Sequence, residues 1–232
     1  MKLTTIAFDA DDTLWHNERF FVLTQDRFAE LLADYAPRDH LDERLLEAEK
    51  RNIVHYGYGI KGFMLSMIET AIEITEERIP AAAIRQILDM GQEMLRHPIE
   101  LLPHARTAVE AMARSHHRVL LITKGDLLDQ ERKLAESDLR RFFDRVEIVS
   151  EKTAGTYRRI FTEHGDGPER AMMVGNSMKS DIRPAIEVGA WAAHIPFDLA
   201  WALEAAEPPT ESDRFHTLED LGHLEALVTR IG

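Results

Sequence analysis

The sequence predicts an α/β fold, in which a parallel β-sheet has helices on both faces and an all-helical domain is inserted near its start. Two observations lead to this fold class. From residue 103 onward, short apolar runs alternate with amphipathic helical segments, as they do in parallel sheets with crossover helices. Before that point, residues 17–97 show helical periodicity and almost no strand signal. We therefore assign residues 1–16 and 98–232 to a core domain and residues 17–97 to the insert.

The predicted strands of the core are short and strongly apolar. The run at 118–123 has no polar face, which is typical of a strand buried on both sides. The strands are predicted at residues 3–9, 118–123, 146–149, 171–174 and 191–195. Helices are predicted at residues 103–115, 127–136, 153–164, 181–188 and 218–231. Gly189 is placed to end the fourth of these helices.

The insert contains four apolar stripes at helical spacing. The first ends before Pro37, and the fourth begins near Pro80 and stops before Pro98. The glycine-rich segment 56–63 separates the second stripe from the third. Ligands of parallel α/β sheets bind beyond the carboxyl ends of the strands. Because the insert follows the carboxyl end of the first strand, we expect it to act as a cap over the site.

Composition narrows the classes of function. The chain has 232 residues, a formal net charge of −13 and no cysteine. The negative charge disfavours nucleic acid and anionic membranes as partners. The absence of cysteine excludes disulfides, thiolate metal sites and cysteine nucleophiles, and it fits a cytoplasmic location. Neither a signal-peptide apolar region nor an apolar run of about 20 residues is present, so we expect no membrane span.

The first strand ends in an unusual concentration of charge. Asp9, Asp11 and Asp12 are followed directly by Thr13. Asp9 and Asp11 point the same way if the strand continues through them, because strand side chains alternate with period two. An isolated Asp-x-Asp is more often a solvated turn than a functional site, so the interpretation depends on the other strand ends.

Two further strand ends carry side chains of matching chemistry. The strand at 118–123 ends in Thr123, and the strand at 171–174 runs into Gly175, Asn176 and, five residues later, Asp181. Lys152 lies between them, just before a predicted helix. If these strands are neighbours, the carboxylates, the hydroxyl and the ammonium group converge on one edge of the sheet.

Such a set of groups fits phosphoryl chemistry. Asp9 can attack an electrophilic phosphorus, and Asp11 can protonate the departing oxygen and then activate water. Oxygen ligands from Asp9, Asp181 and the backbone carbonyl near Asp11 suit Mg²⁺. Thr123 can donate a hydrogen bond to a phosphoryl oxygen, and Lys152 can neutralise charge and keep Asp9 ionised.

These residues resemble the four motifs of the haloacid dehalogenase superfamily, mainly its phosphatase branch. The motifs are matched in order by Asp9-x-Asp11-x-Thr13, Thr123, Lys152, and the Gly175-Asn176 pair with Asp181. The resemblance covers residues 3–16 and about 100–196. It implies a Rossmann-like core, a helical cap of the C1 type and Mg²⁺ as cofactor.

The chain departs from the family pattern at two positions. Asp12 stands where glycine is common, which adds charge without removing either of the two key carboxylates. Asn176 stands where many members have aspartate, and Asp181 is then the main acidic ligand. Asn176 is a candidate metal ligand, directly or through water, or a residue that only surrounds the ligands.

Five residues are candidate substrate contacts, three of them with a structural alternative. They are Thr13, His16, Lys61, Lys124 and Gly125. His16 also lies where the chain leaves the core, Lys61 lies in the glycine-rich connector, and Lys124 is otherwise surface charge.

The leading hypothesis is a Mg²⁺-dependent phosphomonoester hydrolase that acts on a small phosphorylated metabolite through an aspartyl-phosphate on Asp9. Three alternatives stay open: a haloacid dehalogenase, a phosphomutase and a non-catalytic phosphate-binding member. Dehalogenation also uses an attacking aspartate but needs neither a second carboxylate nor Mg²⁺, so Asp11 and Asp181 argue against it. A helical cap disfavours phosphoproteins and nucleic acids as substrates. The sequence does not indicate the oligomeric state.

Overall fold

The chain folds into two units in a computed structural model that describes residues 2–199 and 201–232. The first, which we call the core unit, comprises Met1–Glu18, Ile99–Lys124 and Gln130–Gly232. The second, which we call the helical unit, comprises Arg19–Pro98 and Gly125–Asp129. The short segment Gly125–Asp129 thus groups with the inserted helices, a link that the periodicity of the sequence does not predict.

The core unit is built on one sheet in which, over residues 2–199 and 201–232, six strands run parallel. The strands are β1 (Thr5–Phe8), β2 (Arg118–Lys124), β3 (Arg145–Val149), β4 (Ala171–Gly175), β5 (Trp191–His194) and β6 (Phe215–Thr217). Their spatial order is β3-β2-β1-β4-β5-β6. This arrangement confirms the predicted Rossmann-like α/β core.

The helices follow the sequence pattern closely. Four lie along the insert, α1 (Glu18–Leu31), α2 (Arg38–Tyr56), α3 (Ile60–Ile74) and α4 (Ala81–Arg96). In the described part of the chain after the insert, five more follow, α5 (Ala105–Arg114), α6 (Leu127–Glu136), α7 (Ala154–His164), α8 (Arg183–Glu187) and α9 (Leu224–Ile231).

Strand alternation divides the core into two apolar layers. On β1, Ile6 and Phe8 face one layer and Ala7 faces the other, and all three side chains are fully buried. Residues of α5 and α9 fill the first layer, and residues of α7 and α8 fill the second. Helices therefore cover both faces of the sheet, as the buried strand pattern predicts.

Strand order determines where the polar strand ends meet. β1 pairs with β2 on one side and with β4 on the other, so that Phe8 is level with Leu121 and Val174. The chain builds outward from β1 in both directions, which makes the carboxyl end of β1 the point where the strand order reverses. A crevice forms at such a point in open parallel sheets.

The structure differs from the sequence prediction in three elements of the core. β6 has only three residues, too few to show a period-two pattern. The predicted helix at 181–188 begins earlier, as a π-helical turn over Met178–Ile182 that continues into α8. The predicted helix at 218–231 is a 3₁₀ turn over Leu221–His223 followed by α9.

The helical unit has its own apolar core, to which all four inserted helices contribute. The connector between α2 and α3 is short because Gly57 and Gly59 have φ values of 71° and 109°, which other residues rarely adopt. In the same unit, the Lys61 ammonium lies 2.9 Å from the Asp126 carboxylate. No helix in the described part of the chain is long and apolar enough to cross a membrane.

Phe161 should be a large contributor to the stability of the core unit. Its side chain is fully buried on α7 and its ring centroid lies 5.7 Å from that of Tyr157. Phe161→Ala is expected to lower the free energy of unfolding by about 3–5 kcal/mol, because the cavity adds to the lost burial. Urea unfolding followed by circular dichroism measures the change. Leu128→Ala, at a side chain 69% exposed, is the control and should change stability by less than about 0.5 kcal/mol.

Candidate active site

Asp9 follows β1 directly and stays inside the protein. Its backbone N–H donates to the carbonyl of Val174 at 2.8 Å, which continues the pairing of β1 with β4 beyond Phe8. The chain then turns, with the Leu14 N–H donating to the Ala10 carbonyl at 2.8 Å. Asp9 is only 6% exposed, so its carboxylate depends on protein groups rather than water for its partners.

The central interaction of the site joins Asp9, Lys152 and Asp181. The Lys152 ammonium donates to Asp9 Oδ1 in a short contact, and to Asp181 Oδ1 at 2.7 Å. All three side chains are buried, at 4% exposure or less for Lys152 and Asp181. Two buried carboxylates share one ammonium group, which leaves one negative charge without a compensating partner in this trio.

The charges of the trio alter its proton affinities. Burial, together with the charge of Asp181, raises the pKa of Asp9 to about 7, although Lys152 acts in the opposite direction. Burial alone would lower the pKa of Lys152, but Asp181 and Asp9 raise it above its usual value. Burial and the same two carboxylates raise the pKa of Tyr157 well above its ordinary value. Lys152 is therefore held as a cation, and Tyr157 stays neutral and donates to the Ser180 carbonyl at 2.9 Å.

Asp181 reaches this position through the turn after β4. Its Oδ2 accepts the Ser177 N–H at 2.9 Å, while the Ser177 hydroxyl caps the turn by accepting the Ser180 N–H. Ser177 is thus the cap of this turn. A Cβ atom at Gly175 would lie 2.3 Å from Asp181 Oδ2, so no other residue could fit at Gly175 without displacing the carboxylate.

Thr13 links the first motif to the fourth. Its hydroxyl lies 3.3 Å from Asp9 Oδ2 and 3.2 Å from Asn176 Oδ1, and it accepts the Asn176 N–H at 3.0 Å. One hydroxyl has one proton, so it can donate to only one of these two oxygens at a time. Two acceptor oxygens therefore compete for one donor beside Asp9.

The donor set fits Mg²⁺. Within the described ranges there is no cluster of three or more histidine, aspartate or glutamate side chains that could hold a metal ion. Mg²⁺ sites usually take one or two carboxylates and complete their coordination with carbonyl oxygens, water and phosphate. Asp9 and Asp181 would supply the carboxylates of such a site, and two acceptor oxygens compete for the Thr13 hydroxyl beside them. Asn176 Oδ1 contacts the Thr13 hydroxyl, so Asn176 stays a candidate metal ligand or a neighbour of the ligands.

Thr123 lies at the end of β2, beside β1, where the sequence predicts it. It is 2% exposed, and its hydroxyl has a long contact of 3.5 Å to the Lys124 carbonyl. A contact at that distance is weak, so the hydroxyl proton can be redirected to a stronger acceptor at little cost.

Asp11 is surrounded by donors that the sequence analysis missed. Its Oδ1 accepts from Trp15 Nε1 at 2.7 Å and from Lys133 Nζ at 3.0 Å, and its Oδ2 accepts from Gln130 Nε2 at 2.8 Å. Gln130 and Lys133 lie three residues apart on α6 and so share one helix face. The feature that marks both residues is their burial, with exposures of 4% and 6%. Burial of a polar helix residue cannot be predicted from the sequence.

Lys124 is engaged within the core unit. Its ammonium lies 2.5 Å from Glu204 Oε1 and donates to the Ser180 hydroxyl at 2.9 Å. Ser177 and Ser180 both donate to Glu204 Oε2 at 2.5 Å. Burial alone would raise the pKa of Glu204, but Lys124 and the two serines lower it. Glu204 ends a three-residue 3₁₀ turn, Ala202–Glu204, which is too short to show a periodic pattern in the sequence.

Asp12 has a structural role in the motif loop. Its φ of 59° is left-handed, a conformation that aspartate tolerates better than most residues and that explains why glycine would also fit. Its carboxylate accepts the N–H groups of Asn17 and Glu18 at 2.8–3.1 Å, where α1 begins. Burial, with the charge of Asp11, raises the pKa of Asp12 to about 7.

The remaining candidate substrate contacts fall in different places. The His16 ring lies in the core unit with its centroid 6.0 Å from that of Phe197. Lys61 is in the helical unit, where it pairs with Asp126. Gly125 begins the short segment of that unit and has a φ of 139°. Thus Asp9, Thr13, Lys152, Asn176 and Asp181 form one bonded network.

Comparison with known proteins agrees with this geometry. The sequence profile of the haloacid dehalogenase-like hydrolases matches residues 3–189. No curated protein gave a significant match.

Three solved structures illustrate the likeness. A haloacid dehalogenase-like family hydrolase from Xanthomonas campestris is 40% identical, with a TM-score of 0.86 over 99% of this chain and 91% of that one. The putative HAD-hydrolase YfnB from Bacillus subtilis, bound to magnesium, is 14% identical, with a TM-score of 0.68 over 98% and 99%. An L-2-haloacid dehalogenase from Xanthobacter autotrophicus with chloropropionic acid covalently bound is 16% identical, with a TM-score of 0.68 over 99% and 100%.

The last two likenesses concern the fold alone, because their sequences have diverged so far. The profile match covers most of the chain and spans all the motif residues, which lie at or after the carboxyl ends of β1, β2, β3 and β4. This confirms the resemblance drawn from the motifs: the chain belongs to the haloacid dehalogenase-like hydrolase family.

Proposed function

We propose that this hydrolase is a Mg²⁺-dependent phosphatase of small phosphorylated metabolites. The observation that carries the proposal is that a second carboxylate, Asp11, follows Asp9 by two residues and is held in place by hydrogen bonds from Trp15, Gln130 and Lys133. Phosphate ester hydrolysis through a covalent intermediate needs both a nucleophile and a separate acid and base.

In the first step, an oxygen of Asp9 attacks phosphorus and the bond to the leaving oxygen breaks. Asp11 gives its proton to that oxygen, which leaves as an alcohol. Lys152 and Thr123 lie at the neighbouring strand ends, where a cation and a hydroxyl donor stabilise charge on the phosphoryl oxygens. The product of this step is an aspartyl-phosphate on Asp9, with Asp11 ionised.

In the second step, Asp11 removes a proton from water, and the water oxygen attacks phosphorus. The bond between phosphorus and Asp9 breaks, and inorganic phosphate leaves. Asp9 regains its carboxylate and Asp11 regains its proton, so the residues return to their starting state.

Asp9 and Asp181 would hold Mg²⁺, together with the backbone carbonyl near Asp11, and Asn176 lies beside them. When bound, the ion offsets the repulsion between an anionic nucleophile and an anionic phosphate. The magnesium in the Bacillus subtilis structure supports this assignment by family likeness. A cation here would also compensate the one negative charge that remains when Asp9 and Asp181 share the ammonium group of Lys152.

The net charge of −13 supports small substrates that are bound by local groups rather than by a broad positive surface. We propose a phosphorylated metabolite, with neither nucleic acid nor membrane as partner, in the cytoplasm. That the helical insert covers the site stays a prediction from the sequence.

Haloacid dehalogenation is the second candidate. Lys152 bridges Asp9 and Asp181, and the Xanthobacter autotrophicus structure gives this reaction a precedent on the same fold. Asp11 has no role in that reaction, which is why phosphate hydrolysis comes first. Release of chloride from a 2-chloroacid would favour dehalogenation, and an isomerised sugar phosphate would identify a phosphomutase.

Asp9→Asn should abolish hydrolysis, because an amide oxygen is a poor nucleophile. With 4-nitrophenyl phosphate and Mg²⁺, kcat is expected to fall by about 10⁴-fold or more. Asp12→Asn is the matched control in the same loop, since asparagine keeps the left-handed turn and one acceptor for α1. An Asp9→Asn protein that hydrolyses at the wild-type rate would contradict the role of Asp9.

Removal of Mg²⁺ should stop phosphate release, and its return should restore it. Independently of activity, Mg²⁺ should raise the melting temperature of the wild-type protein because the ion binds the folded state. In Asp181→Asn, which loses one carboxylate ligand, this increase should become much smaller. An equal increase in both proteins would show that Asp181 does not hold the ion.

A further inference from the structure

We propose that Trp15, Gln130 and Lys133 form a clamp that orients the ionised carboxylate of Asp11 for activation of water, with Gln130 and Lys133 as positioning residues. The inference rests on the proposed function. It assigns a role to the face of α6 that the family motifs do not include.

The clamp surrounds both oxygens of Asp11. The Lys133 ammonium lies 3.0 Å from Oδ1 and 3.2 Å from Oδ2, so it contacts the carboxylate edge-on. Trp15 donates to Oδ1 and Gln130 to Oδ2, from opposite ends of that edge. Four contacts of 2.7–3.2 Å fix the rotation of the carboxylate as well as its position.

Every group that the clamp presents to Asp11 is a donor. An indole N–H, an amide NH₂ and an ammonium group cannot accept a hydrogen bond through the atoms that face the carboxylate. The arrangement is therefore complementary to the ionised form of Asp11, which accepts through both oxygens. This is the form that remains on Asp11 after the leaving alcohol departs, and it is the form that removes a proton from water.

The amide of Gln130 gives independent support. Its NH₂ group donates to Asp11 Oδ2 and to the Lys124 carbonyl at 3.0 Å, so a flipped amide would bring its oxygen against two acceptors. Its own oxygen Oε1 is buried without a hydrogen-bond partner among the described residues. Burying an unpaired amide oxygen is unfavourable, and such a group calls for an explanation. The explanation that we offer is that the amide of Gln130 is kept in this position because it orients Asp11.

Lys133 is itself held in place. Its ammonium also donates to Asn17 Oδ1 at 2.8 Å, and its side chain is only 7% exposed. Trp15 is fully buried, and its backbone oxygen accepts the Asp12 N–H at 2.7 Å. Lys133 and Trp15 are therefore each bonded to a residue of the chain segment 9–17 that carries Asp9 and Asp11.

The proposal predicts a defect in one half of the reaction. Without the clamp, Asp11 should still be present but poorly oriented as a base, so breakdown of the aspartyl-phosphate slows. With 4-nitrophenyl phosphate, formation of the intermediate needs little acid assistance, because nitrophenolate is a good leaving group. Formation should therefore be nearly unchanged.

The experiment compares wild-type protein with Lys133→Met, which keeps the length of the side chain and removes its donors. In Mg²⁺, steady-state hydrolysis of 4-nitrophenyl phosphate should show kcat lowered about 10- to 100-fold. This is less than the loss of about 10²- to 10⁴-fold expected when a general base is removed, because Asp11 itself remains. The ratio kcat/KM should change less than about threefold, because KM falls with kcat. Rapid mixing should show a burst of about one nitrophenolate per active site.

Two further variants separate positioning from loss of structure. Lys133→Arg restores a donor and should recover part of kcat, and Gln130→Leu should show the same split as Lys133→Met in a milder form. Arg132→Met is the matched control, one residue away on α6, where the side chain pairs with Glu136. It should match the wild-type protein in kcat, KM and burst.

The outcomes distinguish this inference from the proposed function. If wild-type protein neither releases phosphate nor forms phospho-Asp9, the proposed function fails and the inference fails with it. If wild-type protein is active but Lys133→Met loses kcat and kcat/KM equally, without a burst, only the inference is overturned. The same holds if Lys133→Met behaves as wild type.

Discussion

The Lys152 ammonium between Asp9 and Asp181 is the interaction on which the rest of the site depends. Two buried carboxylates would repel each other strongly in a medium of low dielectric constant, and removing one partner of such a set is costly. Lys152 makes their approach possible, and that approach ties the loop after β1 to the turn after β4. The parallel register of β1 and β4 then brings Thr13 within reach of Asn176.

Two other carboxylates of the core unit are also paired with a largely buried lysine. Asp11 is paired with Lys133, and Glu204 is paired with Lys124, each through a lysine that is largely buried. Each pair adds neutral donors, so that the carboxylate oxygens have partners in place of water. A protein of net charge −13 can thus concentrate carboxylates at one edge of a sheet without loss of order there.

The parts of this site that lie at strand ends could be predicted from sequence. Asp9, Thr123 and Asp181 follow apolar runs, and parallel strands bring such positions to one edge whatever the details of packing. Lys133 could not be predicted, because a lysine on an amphipathic helix looks the same whether it faces solvent or a buried carboxylate. Glu204 belongs to a 3₁₀ turn of three residues, too short to show a pattern, and the three-residue β6 is likewise formed by pairing rather than by its own pattern.

Position 175 is restricted to glycine by the side chain of Asp181. The carboxylate of Asp181 occupies the volume that a side chain at Gly175 would need. A glycine in a Gly-Asn segment is easily taken as a sign of flexibility, yet here its φ is not left-handed and the residue is needed for its lack of volume. A Cβ atom at 175 would also lie 2.7 Å from the Cβ of Asp181, so losing the carboxylate alone would not make room for it. Glycine at 175 is therefore required for as long as any side chain stands at 181 and the turn keeps its present path.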